Sequence, residues 1–258
     1  MRLLVDFGNT RLKWALWDND GLHPGDAFAH AGTSIDAGVS AHWRGLPKPR
    51  SIHVASVVDE VREHELAQLV QSVFSMPAEF VRSPARALGI VNAYREPQRL
   101  GVDRFLAMAA LHAQAARAQV LIGCGTALTL DALDAEGHHL GGLITASPAL
   151  TRRALGLATA RVGAAAGELV ELAANTADAA WSGSILAAVA LVERFRACIA
   201  GRLGVPVAVV ADGGGIDEWL ACLDGVERGR DLVLHGLALW AERRGAAMSA
   251  DGDVGRSG

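Results

Sequence analysis

The sequence has a single tyrosine and only three cysteines in 258 residues. Cys124, Cys198 and Cys222 are scattered and odd in number. They form neither a disulfide framework nor a paired metal motif, a pattern that suits a reducing cytoplasm. The nine histidines make no metal spacing. His64-Glu65 has no second histidine four residues after the first, and His138-His139 sits beside a glycine turn where solvent exposure is expected. There is no basic run, and a net charge of −4 is spread over both signs, which gives no support to a nucleic-acid or membrane-surface role. No apolar stretch is long enough to span a bilayer. Met1 to Val5 runs directly into Asp6, unlike a secretion signal. The expectation is a soluble cytoplasmic protein with no nucleic-acid or membrane partner.

What is present is core-forming material. A hydrophobic share of 51% over this length fits one large domain or two smaller ones. Residues 3–7 read as a strand, Gly8-Asn9-Thr10 as a turn, and Leu12 to Trp17 as a second strand with Leu12, Trp14 and Leu16 on one face. Asp20-Gly21 is a hairpin signal. Ser51 to Val57 reads as a buried strand. Asp59 to Phe74 has helical spacing through Leu66, Leu69, Val70 and Val73, and Ala78 to Arg82 reads as a further strand. A helix is expected from Phe105 to Ala116. The second half echoes the first: strands at Val120 to Ile122, Ala127 to Leu133 and Leu140 to Ile144, helices at 148–158 and 177–200, a strand at Val205 to Ala211 and a last helix at Leu232 to Arg244. This divides the chain into an N-terminal domain, 1–117, a C-terminal domain, 118–245, and a disordered tail, 246–258.

Four stretches carry chemistry. In Asp6-Phe7-Gly8-Asn9-Thr10-Arg11-Leu12-Lys13, Gly8 lets backbone N–H groups approach a ligand, Lys13 reaches toward phosphate, and Asp6 at a strand end can take magnesium. An ordinary hairpin with a solvated lysine is the alternative. Gly123-Cys124-Gly125-Thr126 to Asp131 reads as a second phosphate loop or as a tight hairpin with paired threonines. No base lies near Cys124, so it reads as a packing residue. Ala211-Asp212-Gly213-Gly214-Gly215 suits a flat base or sugar, or a helix entry; it lacks the dinucleotide glycine spacing. Asn92 to Arg104 holds the lone Tyr94 and places Asp103-Arg104 at a helix start. There Asp103 is either a cap or a general base beside a guanidinium that grips an anionic substrate. Two glycine hairpins and a third glycine turn together fit the actin-like kinase plan: two RNase H-like domains of mixed sheets flanked by helices, with an interdomain cleft.

On these motifs the chain resembles the type III pantothenate kinases, enzymes that phosphorylate pantothenate in the first step of coenzyme A synthesis. Asp6 to Lys13 looks like the family's ATP phosphate loop. Asn92-Ala93-Tyr94 and Leu100-Gly101-Val102-Asp103-Arg104 look like its pantothenate motif. The resemblance implies that Tyr94, Gly101, Val102, Asp103 and Arg104 contact pantothenate, with Asp103 the catalytic base. It implies that Asp6, Phe7, Gly8, Asn9, Thr10, Arg11, Leu12, Lys13 and Thr126 serve ATP with Mg2+, and that Gly213-Gly214 lies by the nucleoside. Gly141-Gly142 with Pro148 matches a following glycine turn. Asn175-Thr176, with Ala179 and Gly183, resembles a segment crossing a homodimer interface, where Thr176 helps bind pantothenate in the partner's site. One position departs. Gly123 stands where many members carry an aspartate for a monovalent cation, leaving only carbonyls there for potassium or ammonium. The rival readings are a sugar kinase of the same fold and a regulatory homologue without activity.

Overall fold

The computed structural model describes residues 1–30, 35–159, 162 and 166–254. It divides into two compact units: Met1–Gln114 with the chain from Leu232 on, and Ala115–Asp231.

In the first unit, β1 (Arg2–Phe7), β2 (Arg11–Asp18), β3 (Gly21–Ala29), β4 (Ile52–Ser56) and β5 (Glu79–Val81) form one sheet in the order β3-β2-β1-β4-β5. β1 runs antiparallel to β2 and parallel to β4. β1 is buried on both faces, with Leu3, Leu4, Val5 and Phe7 fully enclosed, which is why it reads as a continuous apolar run. In β2, Leu12 and Trp14 enter the core, Leu16 packs against it half-buried, and Ala15 on the other face is fully buried as well. α1 (Asp36–Trp43) and α2 (Glu60–Phe74) lie after β3 and β4. Leu66, Val70 and Phe74 of α2 join Trp43 and β1 in one core. Asp59 caps α2 by accepting from the Arg62 N–H at 2.9 Å. A small hairpin follows, β6 (Arg86–Ala87) and β7 (Ile90–Val91), and then α3 (Val102–Gln114).

The second unit repeats the plan. β8 (Gln119–Cys124), β9 (Ala127–Leu133), β10 (His139–Ala146), β11 (Ala208–Asp212) and β12 (Val226–Arg228) pair in the order β10-β9-β8-β11-β12. The antiparallel and parallel neighbours fall in the same places as in the first sheet. α4 (Pro148–Ala158) is capped by Ser147, and α5 (Thr176–Leu203) by Asn175 at its start and by Gly204, at φ 68°, at its end. The two mixed sheets with flanking helices are the RNase H-like pair expected of an actin-like fold.

Two strands are not legible as periodicity, and two expectations are corrected. β3, with Pro24 and Gly25, is an edge strand without alternation, and β12 has three residues; neither shows as periodicity. The last helix, α6 (Leu232–Val254), belongs to the first unit and not to a C-terminal domain ending at 245. Gly236 lies against the Leu106 backbone of α3, an approach that leaves no room for a side chain. The helix also continues through 246–254 of the expected tail; 255–258 lie outside the described residues. Among the described residues, no helix is long and apolar enough to cross a membrane.

Candidate functional site

In the first unit, the turn between β1 and β2 is built by backbone bonds. Gly8 N–H donates to the Arg11 carbonyl at 3.1 Å, and Val57 N–H to the Phe7 carbonyl at 3.2 Å. The side chains of Phe7 and Leu12 are fully buried, so only their backbone can reach a ligand. Asn9 and Arg11 are exposed, and Asp6, Gly8, Thr10 and Lys13 are half-buried. Asp6 and Lys13 stand opposite each other in the β1–β2 register, at the carboxyl end of β1. That end of a parallel pair is where open α/β sheets bind ligands.

The second cluster of this unit surrounds the start of α3. Asn92 organises the loop. Its Nδ2 donates to the carbonyls of Pro84 at 3.2 Å and Pro97 at 3.1 Å, and its Oδ1 accepts from Tyr94 N–H at 3.0 Å. Ser83 Oγ, buried, donates to the Leu100 carbonyl at 2.8 Å. α3 begins at Val102, so Asp103 sits inside the first turn and not at the cap. Its Oδ1 accepts from Arg104 N–H at 2.8 Å and lies 2.5 Å from where a Cβ on Gly101 would be. Glycine at 101 is therefore what lets the carboxylate fold back over the helix start. Arg104 is only 6% exposed; its Nη1 donates to the Tyr94 hydroxyl at 3.2 Å. A buried guanidinium beside a half-buried carboxylate, at a helix N-terminus, offers a cation that can hold an acid and a base that can take a proton. An adjacent cavity of about 330 Å³ is lined by Val57, Val58, Arg99, Gly101 and Val102.

In the second unit, Gly125 N–H donates to the Ala127 carbonyl at 3.0 Å, closing the β8–β9 turn. Ser147 Oγ donates to the Thr126 carbonyl at 2.9 Å, tying the start of α4 to that turn. Gly123 pairs with Thr129 across the strands, and a Cβ at 123 would lie 2.5 Å from Thr129 Oγ1. The place an aspartate side chain would leave from is filled by a threonine hydroxyl. Gly215 N–H donates to the Cys124 carbonyl at 3.0 Å, and Gly213, at φ 97°, packs on the same peptide. Burial pushes the Cys124 thiol up to about 11, which keeps it protonated and fits a packing residue.

The sequence reading missed several residues that hold these loops. Arg228 fastens the Asp212-Gly213 turn. Its Nη1 donates to the Ala211 carbonyl at 3.0 Å, its Nη2 to the Gly213 carbonyl at 3.1 Å, and its Nε to Asp217 Oδ1 at 2.9 Å. No helix entry follows Asp212; its Oδ1 instead accepts from Gly213 N–H at 2.7 Å. Asp131 does not line a phosphate loop: it is 1% exposed and pairs with His139 Nε2 at 2.9 Å, so His139 is buried and not solvated. Thr176 is exposed at the first turn of α5. Asp134, Glu136 and His138 gather ligand atoms within 4.8 Å of one another. This cluster closes on itself, because Asp134 accepts from the backbone N–H groups of Glu136 at 3.0 Å and His138 at 2.7 Å.

Comparison with known proteins shows the family. The family described as type III pantothenate kinase matches residues 2–197. A type III pantothenate kinase of Xanthomonas oryzae pv. oryzae (strain PXO99A) is 40% identical over 238 residues, covering 92% of this chain and 96% of that protein. One from Xanthomonas campestris pv. campestris (strain B100) is 41% identical over 245 residues, covering 94% and 98%. Among solved structures, a protein described as a Baf family transcriptional activator from Campylobacter jejuni superposes with a TM-score of 0.61 at 16% identity, covering 94% of this chain and 99% of that one. That likeness speaks for the fold alone.

Proposed function

The chain belongs to the type III pantothenate kinase family, and from that premise we propose how its residues carry out the ATP-dependent phosphorylation of pantothenate that opens coenzyme A synthesis. Asp103 takes the proton of the primary hydroxyl as that oxygen attacks the γ-phosphorus of ATP and the bond to ADP breaks. Arg104, Tyr94, Gly101 and Val102 hold the acceptor. The observation that carries the reading is the buried Arg104, 6% exposed and fixed on Tyr94, next to Asp103 at the start of α3.

In the first unit, the amides of Asn9 and Thr10, with Lys13, are assigned to the phosphates, while Gly8, its N–H held by the Arg11 carbonyl at 3.1 Å, keeps the turn tight for their approach. Phe7 and Leu12 contribute through their backbone, and Arg11 through an exposed side chain. Asp6 is a half-buried carboxylate at a strand end, the donor type a hard cation takes, and it would hold magnesium directly or through water. Bound there, magnesium neutralises charge on the phosphates. In the second unit, Thr126 and the Gly213-Gly214 turn are assigned to the nucleotide. With Gly123 where an aspartate would stand, a potassium or ammonium ion at that point would rely on backbone carbonyls and the Thr129 hydroxyl, with no carboxylate to hold it.

Thr176 is assigned to the acceptor site of a second copy in a homodimer. What supports this is its exposure, together with an apolar cavity of about 330 Å³ along α5 lined by Leu128, Leu155, Ala179, Gly183 and Leu191. The scattered cysteines support a cytoplasmic site of action. A panel of hydroxyl acceptors with labelled ATP tests the activity. Pantothenate is the one efficient acceptor on this reading. Transfer to sugars at comparable kcat/KM, or to no acceptor at all, contradicts it.

A further inference from the structure

A turn presents N–H groups to an anion only when its carbonyls face the other way, because C=O and the following N–H point in opposite directions across a trans peptide. Between β1 and β2 the carbonyls of Phe7, Thr10 and Arg11 accept from backbone: from Val57 at 3.2 Å, His30 at 3.1 Å and Gly8 at 3.1 Å respectively. The Gly8 carbonyl is different, since its partner is a side chain, His30 Nε2 at 2.8 Å. His30 is 3% exposed and tilted against the Phe7 ring, with centroids 4.9 Å apart. Its second ring nitrogen, Nδ1, meets Nη2 of Arg62, which also donates to the His30 carbonyl at 3.1 Å. A guanidinium only donates. Nδ1 is therefore the acceptor, and Nε2 carries the proton that it gives to Gly8. Arg62 itself is set on the first turns of α2, its N–H donating to the capping Asp59 at 2.9 Å.

We propose that His30 and Arg62 are positioning residues for the nucleotide. Arg62 selects the tautomer of His30, His30 anchors the Gly8 carbonyl inward, and the Asn9 N–H is thereby turned outward toward phosphate. Neither side chain touches the reacting atoms. Without the anchor the Gly8–Asn9 peptide is free to rotate its carbonyl toward the phosphates, where like charges repel. This rests on the reading that residues 6–13 carry the phosphates of ATP.

Steady-state kinetics on four variants test it. His30→Phe keeps a ring against Phe7 and removes the donor, and raises KM for ATP about tenfold, the worth of one hydrogen bond to a charge-binding loop. KM for pantothenate stays unchanged. His30→Gln, whose amide nitrogen replaces Nε2, returns KM for ATP to within about threefold of wild type. Arg62→Met shifts KM for ATP in the same direction as His30→Phe, and less. Lys13→Ala reports on the underlying reading. If it raises KM for ATP while His30→Phe does not, the positioning role is overturned alone. If neither changes it, the phosphate reading of the turn falls and takes this inference with it. Equal rises in KM for both substrates mean general disruption and overturn the role. Should His30→Phe fail to fold, Arg62→Met with wild-type KM for ATP overturns it.

Discussion

The two hairpins occupy the same place in two sheets of the same order, yet they are equipped differently. β1 and β8 each have six residues, and the penultimate one is Asp6 in the first and Gly123 in the second. Asp6 faces Lys13 across its hairpin, whereas Gly123 faces Thr129. The last residue is the aromatic Phe7 in one and the small Cys124 in the other. The first turn is therefore charged and anchored by side chains, His30 and Arg62 among them. The second is uncharged at that register and closely packed, with Gly213 and Gly215 lying on Cys124 and Ser147 Oγ holding the Thr126 carbonyl. One strand order thus carries two differently built turns, one charged and the other closely packed.

Adding a methyl group at each glycine sharpens this contrast. Gly213→Ala has the largest expected effect. It places a Cβ on the Cys124 carbonyl at a φ of 97°, and strain plus overpacking lower stability by about 3 kcal/mol or more. Thermal or denaturant unfolding reads this directly. Gly123→Ala comes next, at about 1–3 kcal/mol, because the new Cβ meets Thr129 Oγ1. Thr129→Ala removes that oxygen. In the double variant the loss shrinks below the sum of the singles, a non-additivity that a mutant cycle measures. Gly8→Ala is the mildest. Its Cβ would meet only the Arg11 carbonyl, at 3.3 Å, and the shift stays below about 1 kcal/mol. Equal losses at Gly8 and Gly213 would erase the distinction between the hairpins.

Local chemistry was legible in the sequence, and distant partnerships were not. The alternation of Leu12, Trp14 and Leu16, the turn at Gly8-Asn9-Thr10, the apolar runs of β1 and β8 and the acidic start of α3 follow from residues adjacent in the chain. β3 escaped because an edge strand holding Pro24 and Gly25 need not alternate. α6 reads as a helix from its own residues, but nothing local says which core it joins. The residues that hold the site are the least visible. His30 lies 22 positions from Gly8 and 32 from Arg62, and Arg228 lies 15 from Gly213. Asp131 shares a strand face with Thr129 in the sequence, but its pairing with His139 of the neighbouring strand is not visible there. Tyr94, Asp103 and Arg104 lie close together in the loop sequence, and Arg104 hydrogen-bonds to both of the others.

The proton-accepting role of Asp103 is the point on which the account turns, and single-turnover transfer from labelled ATP to pantothenate by Asp103→Asn tests it. Asparagine preserves the shape of the side chain and the bond from Arg104 N–H, and removes the charge that takes the proton. The account predicts a rate about 10²–10⁴-fold lower with ATP affinity unchanged. A rate near wild type would contradict it.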